Sequence, residues 1–457
     1  MDINPSTVAG NADVLTNVLK QGGVGWSSED DLPSGVKNLG DHVVIIHGDL
    51  STGERIESLQ ASRSEEGTPW LRFQFIVFIL GLFHLKMACA DAIWRIFIQP
   101  LKARDDPHSL LEHVGLLRPK ETGKIGSKPG FRRMHEVIQH VGIVSRLECW
   151  RKATGRENPN WSSLELYAQS NPTWETLVHI ANQLALEEVA GADFDELRRQ
   201  APERRDKQRE NHLLRQQYFL LYEELSYAMN AGDIGRVETC FMPWVFIFRG
   251  CGKHKYAAHM MRYLYNVHFQ LETYRLIRNA IRMNILCNPT GKKGHFRAID
   301  WLVEHNNLFI KRIFGGLFSN HLKTYILKES ALIGVYKGIR QQFQKLFCLD
   351  HQTYRHSPPL MKRTFHALAT YMQKHLAIET VPGRDVKYSI PNVTAIGIDA
   401  LLTSKGTGGM PNQENKDVGA DADEAGTAGD VLENEEAHDL NDDDEQEVED
   451  DGDLDAL

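Results

Sequence analysis

The chain has no C-x-x-C pair and no internal repeat. Nowhere does it carry ~18 uncharged apolar residues in a row, the length a membrane span needs. The most apolar stretch, residues 73–83, is too short and meets His84 and Lys86 at once. The first twenty residues have neither a basic start nor an apolar run, so they do not form a secretory signal. The six cysteines (Cys89, Cys149, Cys240, Cys251, Cys287 and Cys348) are scattered, which reads as reduced thiols. These absences lead us to expect an intracellular protein with no membrane contact, and a nuclear one if it meets DNA.

What is present is an uneven distribution of charge. The chain has 457 residues, is 42% hydrophobic and carries a net charge of −9. From Pro411 onward there are 20 acids and one base, Lys416. That tail holds −19 and leaves +10 for residues 1–410. A basic body suits a polyanion such as DNA, and equally suits a body balanced by its own tail.

The hydropathy pattern predicts four regions. Residues 1–40 are polar and Gly-rich and read as a loose arm. Residues 41–99 read as a small α/β element. Its first strand is the β-branched run Val43–Ile46, closed by Gly48 and Asp49, followed by a helix from about Glu54 capped by Ser51 or Thr52. Its second strand spans residues 73–80, with a helix from about Met87 to Ile98. Strand–helix–strand–helix is the order of a parallel sheet. Residues 100–399 are mostly helical by period, with Leu213–Met229, Arg236–Phe248, His254–Arg282 and Ala298–Phe314 the clearest segments. Residues 400–457 are too acidic and too poor in aromatics to offset the entropy of ordering, and are expected to be disordered. The fold class is therefore mainly α with a small parallel α/β element.

Several groups of residues point to chemistry. Asp49 ends a strand, where rigid backbone presents a carboxylate to an open crevice; it is either a metal ligand or a turn residue capping the next helix. Asp300, Glu304 and Asn307 fall at helical spacing on one face, which suits a hard cation (Mg²⁺ or Mn²⁺) or a solvated polar surface. Cys240, Cys251, His254 and His259 offer zinc-type donors within what reads as a helical core. Gly291, Lys292, Lys293 and Gly294 form either a phosphate-contacting loop or a plain turn; the spacing is not that of a P-loop. The basic run from Arg198 to Arg209, interrupted by acids, reads as an import or DNA-contact segment or as a solvated helix face.

Taken together, certain pieces resemble the domain-of-unknown-function family numbered 6589, known from mobile-element-like genes of fungi and some animals. The pieces are Gly48 to Thr52 with Arg55 and Arg63, and Phe83 to Met87. Further on come Gly232, Asp233 and Arg236, then Lys255 to Ala257, then Asn288, Pro289 and Gly291. The last are Asp300, Glu304 to Asn307, and Lys311; the set covers about residues 43–350. Leu50 and Ser51 depart from the family's Gly-Asp-Gln-Leu-Thr.

The resemblance gives no activity. The order of elements is similar to the C-terminal part of an RNase H-like, DDE-type transposase core with a large helical insertion. It would make Asp49 the second acid and Glu304 the last. The first three strands and first acid would then precede Met1, leaving a remnant with an incomplete metal site. The alternative is a non-catalytic nucleic-acid or chromatin binder with an autoinhibitory acidic tail.

Overall fold

The computed structural model describes residues 3–4, 6–25, 37–38, 42–314, 322–348 and 361–403. The molecule is mainly helical, with a small parallel two-stranded sheet near its N-terminal end.

The N-terminal arm is more ordered than its composition suggests. Residues Val8–Gln21 form α1, with the Thr7 hydroxyl accepting from the Gly10 amide as its cap. Ala12, Leu15 and Leu19 recur at helical spacing and join Ile56, Leu59, Phe73, Phe75 and Ile76 in a small separate core. A polar helix with one apolar stripe is easily missed in a Gly- and Asn-rich segment. β1 (Val24–Gly25) and β2 (Lys37–Asn38) make a two-residue parallel pair beyond it.

The central sheet pairs β3 (Val44–Gly48) with β4 (Ile76–Leu80), parallel, in register from Val44 opposite Ile76 to Gly48 opposite Leu80. Four consecutive β-branched residues without polar alternation suggest a strand buried on both faces; instead β3 is half-buried throughout and Val43 is 41% exposed. β4 starts three residues later than the apolar run implies. Phe73 takes a left-handed φ of 54°, which closes a turn, and the Gln60 amide donates to the Phe73 and Ile76 carbonyls at 2.9 and 3.0 Å. α2 (Leu50–Ser62) also differs from expectation. It begins immediately after the strand because Asp49, and not Ser51 or Thr52, is its cap. α3 (Leu82–Phe97) likewise begins one residue after β4.

The helical body follows. α4 (Leu110–Leu117), α5 (Thr122–Ser127), the long α6 (Phe131–Glu157), α7 (Leu164–Gln169), α8 (Trp174–Glu187) and α9 (Phe194–Arg198) lead to α10 (Lys207–Ala231). Gly232, at φ 73°, ends α10, and Asp233 caps α11 (Ile234–Gly250), which continues through Pro243. Phe97, Tyr218, Phe219, Tyr222, Trp244 and Phe248 fill the main core. The segment expected as one helix from His254 to Arg282 is broken. α12 (His254–Tyr265) runs into a π-helical turn at Asn266–Gln270, and α13 (Arg275–Met283) starts afresh.

A short antiparallel pair, β5 (Leu286–Cys287) and β6 (Arg297–Ala298), feeds α14 (Ile299–Phe314). α15 (Lys323–Glu329), α16 (Ile333–Leu346), α17 (Lys362–Lys374) and α18 (Val393–Thr403) complete the described chain. α18 packs backbone to backbone on α11: a Cβ on Gly397 would lie 1.9 Å from the Phe246 carbonyl oxygen. Residues 400–403, assigned above to a disordered tail, are therefore helical; the rest of the tail lies outside the described residues.

Candidate metal centre

The C-terminal edge of a parallel sheet gathers the ends of its strands and the starts of the helices that follow. Here β3 passes to α2 through Asp49, and β4 passes to α3 through Gly81, whose amide donates to the Gly48 carbonyl at 2.9 Å. Two helix N-termini therefore lie side by side, each with unpaired backbone amides and a partial positive charge.

Both are met by aspartates. Asp49 accepts from the Thr52 amide on Oδ1 and from the Ser51 hydroxyl on Oδ2, both at 2.7 Å. Asp300 arrives from the first turn of α14 and caps the other helix. Its Oδ1 accepts from the Phe83 amide and its Oδ2 from the His84 amide, each at 3.1 Å. It is 3% exposed and sits so close to the chain that a Cβ on Gly81 would fall 2.2 Å from Oδ2. A solvated face of α14 is thus the wrong description of Asp300.

His84 links the carboxylates. Its Nδ1 is 3.0 Å from Asp300 Oδ2 and its Nε2 is 3.9 Å from Glu304 Oε1. Burial alone would lower its pKa, but the hydrogen bond and charge of Asp300, then Glu304 and Asp49, raise it above the ordinary value. Burial would raise Asp49, and the Thr52 and Ser51 hydrogen bonds with the His84 charge hold it below the usual carboxylate range. Tyr256 on α12 is half-buried; desolvation, with Asp49 among the neighbouring charges, pushes its phenol up. His47, on β3, is lowered by burial against the pull of Asp300.

The edge therefore brings Asp300 and Glu304 onto one imidazole, with the Asp49 charge near enough to help raise its pKa. Asn307, half-buried, lies three residues past Glu304, and no described contact joins it to His84 or to either aspartate. Hydrogen bonds use about two of the four lone-pair sites of Asp49 and three of those of Asp300, leaving about two and about one. Glu304, 37% exposed, is the least committed of the three.

Among the described residues, the one trio of metal-type side chains with ligand atoms all within 4.8 Å lies elsewhere: Cys149, Glu188 and His212. By distance, this trio could coordinate a divalent metal. Its ligand groups are partly committed, although the buried His212 Nδ1 has no hydrogen-bond partner. Arg209 donates to the same Glu188 oxygen, Arg215 is buried nearby, and burial drives the Cys149 thiol far from ionisation. The zinc-type set proposed from spacing does not assemble. His259 faces Glu57 and Phe78, and His254 faces Arg249.

Sequence reasoning found Asp49 and the Asp300/Glu304 spacing but gave His84 no role. Its signal was its place in the Phe83 to Met87 piece, just after an apolar strand.

The architecture defines a mainly helical protein with a carboxylate-lined edge on a small parallel sheet. Residues 1–356 match the model of DUF6589, a family of unknown function, and the chain belongs to that family. The match takes in the N-terminal α1 as well as the stretch from residue 43. No curated protein and no solved structure matches the chain.

Proposed function

We propose that the sheet edge is a divalent-cation site, for Mg²⁺ or Mn²⁺, on a nucleic-acid-processing module of RNase H-like, DDE transposase type. The observation that carries this reading is the contact of both Asp300 and Glu304 with His84 at the sheet edge where Asp49 ends β3. An all-oxygen carboxylate set suits a hard cation. Asp49 and Glu304 would be the principal ligands, Asp300 a capping residue with one oxygen to share, and Asn307 an outer neighbour. Such an ion, when bound, supplies charge stabilisation for phosphodiester chemistry. In its absence a protonated His84 provides the positive charge that the carboxylates require, so ion and proton compete for the same place. The protein's own contribution is to hold Asp49 on rigid backbone and to keep His84 between the acids.

The test is Mn²⁺ titration of the full chain, read by the electron paramagnetic resonance of free Mn²⁺, at pH 5.5 and pH 8. Tighter binding at pH 8 is expected, together with a loss of roughly tenfold or more in Asp49→Asn and in Glu304→Gln. Binding that both variants leave unchanged, or no binding at millimolar Mn²⁺, would overturn the proposal.

A second reading has its own support. The net charge of −19 beyond residue 410 against +10 before it fits a nucleic-acid binder whose tail competes for the basic surface.

A further inference from the structure

The segment from α12 to α13 exposes what a folded surface usually hides. Tyr265 is 46% exposed, Phe269 69%, Tyr274 63%, Leu276 87% and Met283 78%. The Tyr265 and Phe269 rings stack on each other, with centroids 5.8 Å apart and planes 24° apart. Between residues 262 and 293 there are six Lys or Arg residues and a single acid, Glu272.

This surface is built on a rigid base. Glu238 of α11, 7% exposed, accepts from Tyr263 at 3.0 Å and from Arg282 at 2.8 and 3.0 Å. His268 lies 3.3 Å from the same carboxylate. One buried charge therefore fastens α12, the π-helical turn and α13 together. α13 turns Ile281 inward and sets Arg275, Arg278 and Arg282 on another face by their three- and four-residue spacing. Arg282 is consumed by Glu238. Arg275 is exposed; Arg278 is half-buried, and its Nε is buried without a hydrogen-bond partner.

We infer that this segment is a binding surface for single-stranded nucleic acid, with Tyr265, Phe269 and Tyr274 as stacking platforms for bases and Arg275 and Arg278 on the phosphates. Exposed ring faces interleaved with cations meet the two demands of an unpaired strand: a flat apolar partner for each base and positive charge along the backbone. A duplex hides its base faces and gains nothing from the rings. The surface also adjoins the helix that reaches the carboxylate edge. α12 carries Tyr256, whose phenol feels the Asp49 charge, at one end and Tyr265 at the other, about 14 Å along the axis at 1.5 Å per residue and on the opposite side of the helix. The same helix is tied to α2 by Lys255 on Glu54 at 3.1 Å and by Arg262 on Glu57. A strand stacked on the rings would need only a few nucleotides to reach the edge. That last step rests on the proposed cation site; the binding surface does not.

The experiment is fluorescence anisotropy with the full chain and labelled oligothymidylate and oligouridylate of about 15 nucleotides, a duplex of the same length, and phosphatidylserine vesicles. Expected are tighter binding to a single strand than to the duplex and about a tenfold loss for each of Tyr265→Ala and Phe269→Ala. Arg275→Ala should flatten the salt dependence and Arg275→Lys restore it. Comparing the two single strands shows whether the sugar matters. Circular dichroism identifies any variant that misfolds, and Phe269→Ser then stands in for Phe269→Ala. Equal binding to duplex, unchanged affinity in folded ring variants, or binding to vesicles alone would overturn the inference. Mn²⁺ binding should be intact in Phe269→Ala, and oligonucleotide binding intact in Asp49→Asn, so failure here is separable from failure of the cation site.

Discussion

Replacing Asp300 by alanine gives the most direct reading of how the edge is held. The carboxylate accepts two backbone amides at the start of α3 and the Nδ1 of His84, from a position 3% exposed. Losing a helix cap costs about 0.5–2 kcal/mol. Losing a hydrogen bond to a charged group costs about 1.5–3 kcal/mol. The two overlap, since one carboxylate makes both, and a total near 3 kcal/mol is expected. Asp300→Asn keeps one acceptor oxygen and should cost about half as much.

The pH dependence follows from His84. Its pKa is raised on folding from an ordinary value of 6.5, so its contribution is complete below 6.5 and is lost as pH climbs through the raised value. The gap between wild type and Asp300→Ala should therefore be wider at pH 6 than at pH 9. Urea unfolding followed by tryptophan fluorescence at the two pH values measures it. A variant within about 0.5 kcal/mol of wild type at both, or a gap that widens with pH, would refute the reasoning.

Glu188 should govern acid stability. Burial would raise its pKa, but hydrogen bonds with His212 and Arg209 lower it from 4.5 to about 2, so stability should fall as pH drops through that interval. Glu188→Gln should abolish that fall while costing about 3 kcal/mol at neutral pH by stranding Arg209, as thermal unfolding across pH would show. Deleting residues 405–457 should raise the affinity for DNA and steepen its salt dependence in an anisotropy titration, and equal affinity with and without the tail would defeat the second reading.

Local pattern carried a good deal of this molecule. The β-branched run before Gly48, the three- and four-residue recurrence of Leu214, Tyr218, Leu221 and Leu225, and the breaker residues at Asn288 to Gly294 each express a preference that neighbours in the chain can satisfy. So does the placement of Asp49 at a strand end and of Asp300 one turn before Glu304. These features could be read because their cause lies within a few residues.

The tertiary structure decided the rest. Asp300 became a cap for a helix that begins over two hundred residues earlier, and His84 became the bridge between Asp300 and Glu304. The zinc-type spacing of Cys251, His254 and His259 dissolved, while Cys149, Glu188 and His212, which share no local pattern, came together. Helical period identifies which face turns inward, but not which distant element it meets. A carboxylate's role is set by the donors around it, and those donors are brought there by packing, where one misplaced turn would change every partner.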